Sequence, residues 1–111
     1  MVGIATALGL ATFASLIGPV AYAEDPIFSL VVKDHRFTPD ELQIPAGVKV
    51  KLMVRNDDPT PEEFESVDLH REKLVPSGTE VPVYIGPLDP GTYGFFGDFN
   101  QQTAQGRIIA K

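Results

Sequence analysis

The sequence contains no cysteine. Disulfides are therefore excluded as a source of stability, and so is any metal centre built on a thiolate, the usual copper electron-transfer site included. Histidine is nearly as scarce, with His35 and His70 the two imidazoles in 111 residues. The chain has no Gly-x-Ser-x-Gly elbow, no His-Glu-x-x-His pair and no phosphate-cradling glycine loop, and no Ser or Thr has a histidine placed to activate it. Hydrolytic and nucleotide chemistry are left without candidates. Positive charge is also short: nine Lys and Arg against fifteen Asp and Glu give a net charge of −6. That is the wrong sign for a nucleic-acid face, so no nucleic-acid partner is expected.

Charge of either sign is missing from residues 1–23, "MVGIATALGLATFASLIGPVAYA". The apolar middle and the closing Ala21-Tyr22-Ala23 match a secretory signal cleaved before Glu24, although nothing basic precedes the apolar run. As a membrane anchor the run is barely long enough, and Gly3, Gly9, Gly18 and Pro19 interrupt it. The sequence thus predicts a signal peptide over 1–23 and one small exported domain over 24–111. Without disulfides, such a domain depends on its packing or on a bound ion.

After residue 24 no helical period appears. Short apolar runs are punctuated by ten prolines and ten glycines, which predicts an all-β sandwich. Strands are expected at 27–33, 41–44, 49–56, 64–66, 72–74, 80–85, 91–96 and 106–110. In "VKVKLMVRN" Val48, Val50, Leu52 and Val54 alternate with Lys49, Lys51, Met53 and Arg55, so one face is buried and the other wet. Tyr93, Phe95, Phe96 and Phe99 are expected to pack in the core.

The acids are unevenly spread. Asp57, Asp58, Glu62, Glu63, Glu65, Asp68 and Glu72 all fall within sixteen residues. If Phe64 points inward, Glu63 and Glu65 share the opposite face, about 7 Å apart along the strand. Glu72 and Asp98 are candidates to converge on them, with His70 beside them in "LHREK". An oxygen-rich set suits hard or borderline ions, and an added imidazole suits ferrous iron or cupric copper. The alternative is a solvated acidic rim paired with Arg55, Arg71 and Lys73. His35, in "KDHRF", reads as a structural or exposed turn residue.

Several stretches together resemble the cupredoxin fold. "FTPDELQIPAGVKVKLMVRNDD" is similar to its opening strands, and "LDPGTYGFFGDFN" with "GRIIAK" to the closing strands around its metal loop, which implies a Greek-key β-sandwich. "TPEEFES", "REK" and "FFGDF…TAQG" resemble the periplasmic members associated with bacterial iron permeases. In that alignment Gly97 stands at the cysteine position of the loop and Asn100 at the histidine position. Gly97 is expected to serve a backbone conformation that other residues avoid. The resemblance implies iron as the ion handled, or copper assisting iron oxidation, with a membrane iron permease and its periplasmic components as partners. A metal-free module that docks through its acidic end is the second reading.

Overall fold

The computed structural model describes residues 24–111; the expected signal peptide over 1–23 lies outside the described residues. Among the described residues nine strands follow one another: β1 (Ile27–Lys33), β2 (Arg36–Thr38), β3 (Glu41–Ile44), β4 (Val50–Asn56), β5 (Glu62–Ser66), β6 (Arg71–Val75), β7 (Glu80–Ile85), β8 (Gly91–Gly97) and β9 (Gln105–Ala110), with a 3₁₀ turn at Asp98–Asn100 between the last two. They form a four-stranded sheet in the order β2-β1-β4-β7 and a five-stranded sheet in the order β3-β9-β8-β5-β6. Pairs β1·β4 and β3·β9 are parallel and the others antiparallel, so both sheets are mixed. The all-β sandwich read from the sequence is the observed fold.

Alternation builds the core. Val50, Leu52 and Val54 of β4 are fully buried, side by side on the inner face of their sheet with Leu30 and Val32 of β1 and Val83 and Ile85 of β7. The five-stranded sheet contributes Ile44, Phe64, Val75, Phe95, Ile108 and Ala110. At one end Phe37, Phe64 and Phe95 pack as a trio. Phe37 meets the other two edge-on at 6.3 and 5.1 Å, while Phe64 and Phe95 stack at 5.3 Å, arrangements favoured by the ring quadrupole.

Two of the four aromatics expected inside are not there. Phe95 is buried and Tyr93 partly so, but Phe96 lies on the outer face of its sheet and Phe99 is 52% exposed on the 3₁₀ turn. Strand β2 was not expected. It is three residues long and pairs with β1 through a turn in which Asp34 and His35 both take positive φ, 53° and 58°. The carboxylate of Asp58 holds that turn, accepting the N–H of Asp34 at 2.6 Å and of His35 at 3.0 Å.

Asn56 sets the corner that leads into β5. Its side chain is completely buried. Nδ2 donates to the carbonyls of Thr60 and Val75, and Oδ1 accepts the N–H of Asp58. One amide thus ties the end of β4 to the corner and to the end of β6. Asn56→Ala is expected to cost about 1–3 kcal/mol, because two carbonyls and an N–H lose their partner where water does not replace it. Urea unfolding of the two proteins checks this.

Candidate cation site

The seven clustered acids do five different jobs. Asp57 forms a two-pronged exposed pair with Arg55, 3.0 and 3.1 Å, of a kind that contributes at most about 1 kcal/mol. Asp58 is buried and caps the Asp34–His35 turn. Asp68 accepts the N–H of Gly94 at 2.8 Å, while Ser66 Oγ donates to the Gly94 carbonyl at 2.6 Å and accepts the N–H of Leu69. These contacts pin the β5–β6 turn to β8. The expected rim of ion pairs forms in part: Arg55 pairs with Asp57, whereas Arg71 donates to the carbonyls of Leu69, His70 and Tyr84 rather than to acids.

The remaining acids are sorted by the pleat of β5. Glu62, Phe64 and Ser66 point inward, with Phe64 fully buried, so Glu63 and Glu65 point outward together. Residue Glu72 lies directly opposite Glu65 on β6. One carboxylate oxygen from each of Glu63, Glu65 and Glu72 lies within 4.8 Å of the other two. Like charges paired across a ladder destabilise it unless something neutralises them. The strain is visible on Glu63, whose carboxyl is raised above its ordinary 4.5, first by desolvation and then by repulsion from Glu72, Asp98 and Glu65.

Three of the five expected ligands, Glu63, Glu65 and Glu72, therefore come together on the outer face of the five-stranded sheet. Asp98, on the 3₁₀ turn, is close enough to raise Glu63 but is not in the group of three, and its Oδ1 accepts a hydrogen bond from Gln101 at 2.8 Å. His70 is also outside the group. It is exposed, has φ of 55°, and shares a shallow depression with Glu65 and Glu72.

Glu62 was not singled out by the sequence, and it is the acid that faces the loop. It is 2% exposed. Oε1 accepts the N–H of Glu63 at 3.0 Å and of Phe99 at 2.9 Å, and Oε2 accepts Asn100 Nδ2 at 2.7 Å. The loop glycine also has a different role from the one expected. Gly97 has φ of −95°, an ordinary extended value. What it supplies is room, because a Cβ there would meet the carboxyl carbon of Glu62 at 2.6 Å and Ala104 Cβ at 2.8 Å.

A cupredoxin-like domain model matches residues 4–110. The chain belongs to the cupredoxin-like domain family. It is 49% identical over 80 residues to an uncharacterised protein of Rickettsia prowazekii (strain Madrid E), a match covering 72% of this chain and 64% of that relative. Its fold is similar to auracyanin A, a blue copper protein of Chloroflexus aurantiacus (TM-score 0.69, 14% identity, 79% of this chain and 100% of that one). It is likewise similar to a copper-binding protein solved in its apo form (TM-score 0.68, 21% identity, 86% and 98%) and to a purple cupredoxin of Nitrosopumilus maritimus (TM-score 0.57, 17% identity, 75% and 98%). At these identities the structural likenesses show the fold.

A copper centre of the thiolate kind does not fit this chain. There is no thiol, and the space beside Gly97 holds the Glu62 carboxylate.

The crowding at Glu63 has a sign that experiment can read. With a folded pKa above 4.5, the folded state holds that proton more tightly than the unfolded chain does. The metal-free protein therefore loses this contribution as pH rises through the folded value. In the presence of chelator, Glu63→Gln is expected to melt higher than wild type at pH 7. The gain should shrink as pH falls toward 4.5, whereas a gain that is flat across the range would mean the repulsion is not felt.

Proposed function

We propose that this protein is an exported, periplasmic cupredoxin-like domain that binds iron as cargo through Glu63, Glu65 and Glu72 and passes it to a membrane iron permease. The observation that carries the reading is the convergence of three carboxylate oxygens within 4.8 Å on one open sheet face. Small rotations of the exposed Glu72 bring such a set toward the metal–oxygen distances of about 2.0–2.6 Å that hard cations take. A bound cation also offsets the desolvation and the repulsion from neighbouring carboxylates that together raise Glu63. Asp98 and His70 are the flanking groups able to complete the shell, the carboxylate favouring ferric iron and the imidazole ferrous iron or cupric copper.

Anionic oxygens stabilise the trivalent ion more than the divalent one, so the site favours oxidation of bound ferrous iron by an external acceptor. The permease and its periplasmic components are proposed as partners on the "TPEEFES" and "FFGDF" motifs, and the chain spans 64% of the relative from Rickettsia prowazekii.

A second reading is a metal-free docking module. It is favoured by Leu74, which is 51% exposed on the same face as Glu72, an apolar contact beside acids that suits a basic partner surface.

Calorimetric titration with ferrous, ferric, cupric and manganous ions separates the two. Saturable binding lost in Glu65→Gln supports the first reading, and no heat with any of the four ions overturns it. Bound ion adds RT ln(1 + [L]/Kd) to stability, about 2.7 kcal/mol at a hundredfold excess over Kd. Because protonated carboxylates do not ligate, the metal-induced rise in melting temperature is expected at pH 7 and should disappear by pH 4. That is opposite in sign to the chelated protein's response at Glu63.

A further inference from the structure

The loop after β8 is the place where this fold is expected to hold a metal, and in this chain an internal anion lies there. Glu62 reaches from β5 into the space bounded by Gly97, Phe99, Asn100 and Ala104. Its two oxygens accept three hydrogen bonds from N–H groups, at 3.0, 2.9 and 2.7 Å, and its side chain is closed off from solvent. Its carboxyl carbon stands 2.6 Å from where a side chain at 97 would begin. The surrounding groups are donors with hydrogens turned inward, the opposite of the lone pairs a cation needs.

We infer that the Glu62 carboxylate takes over the structural task of a metal in this loop, clasping β5 to residues 97–100 as an anion among N–H donors. A metal joins two strands by drawing ligands from both to one centre. Glu62 makes the same connection with its charge inverted, since its three charge-assisted hydrogen bonds join its own strand, through Glu63, to the turn at Phe99 and Asn100. The backbone return from Gly97 N–H to the Ala104 carbonyl, 2.8 Å, closes the loop behind it. The loop is consequently ordered without any ion, and position 97 accepts no ligand side chain while Glu62 is in place. The inference is independent of the outer-face cation reading, because Glu63 and Glu65 point to the other side of the strand.

The test is amide hydrogen exchange on the full chain in chelator. Phe99 N–H is expected to be protected like the strand amides, and copper(II) should leave it unchanged. In Glu62→Ala its exchange should rise by about tenfold or more, with Val54 of β4 unaffected. Formate, which has the chemistry of the deleted group, should restore protection in that variant and do nothing in wild type. If Glu62→Ala does not fold, Gly97→Ala replaces it, since the added methyl must displace the carboxylate and produce the same rise. A wild-type Phe99 that exchanges freely until copper is added overturns the inference. So does a variant that folds yet keeps wild-type protection at Phe99.

Discussion

Phe64 is the peg on which the rest of the site hangs. Its ring is fully buried between Phe37 and Phe95, and a side chain of that size leaves its strand no freedom to slip. Since the pleat of a strand has a period of two, a one-residue shift would exchange every inward and outward residue. Fixing Phe64 inward therefore fixes Glu62 and Ser66 inward and Glu63 and Glu65 outward. Burial of one hydrocarbon ring decides which glutamate is a buried acceptor and which stand together at the surface. Chemically identical side chains, adjacent in sequence, acquire opposite roles from the face they occupy.

The same strand shows how polar groups can be inside a small disulfide-free core without penalty. Among the described residues Asn56, Asp58, Glu62 and Ser66 are the buried polar ones, and each has its hydrogen bonds met within the chain. All four lie along one path, from the end of β4 through the corner and down β5. Between them they hold the Asp34–His35 turn, the corner, the β5–β6 turn and the loop after β8. The apolar layers hold the sheets face to face, and this polar path holds the connections at their ends.

Much of the architecture was legible because alternation is a local signal. Strands β1, β3 and β7 have the boundaries the pattern predicts, and β4, β8 and β9 differ by one residue at one end. Strand β2 escaped because three residues with one inward side chain, Phe37, carry no period. The start of β5 was missed because Glu62 and Glu63 in succession look solvent-facing, and nothing local says that one of them meets Phe99 and Asn100 thirty-seven and thirty-eight positions later. Phe99 was misplaced for the complementary reason: apolarity argues for burial, but a 3₁₀ turn at the rim offers no core to enter. The outward pair Glu63 and Glu65 was legible from Phe64 alone, whereas Asp98 and His70 depend on loop geometry that spacing does not encode.

The contact between Gly97 and Glu62 also constrains where this sequence can go. Any side chain introduced at 97 meets the carboxylate, and any shortening at 62 strands three N–H donors, so neither position can change first without loss. A ligand at 97 is reachable only through a paired substitution. The two residues form an epistatic lock, in which Glu62 keeps position 97 a glycine and Gly97 keeps open the space that Glu62 fills.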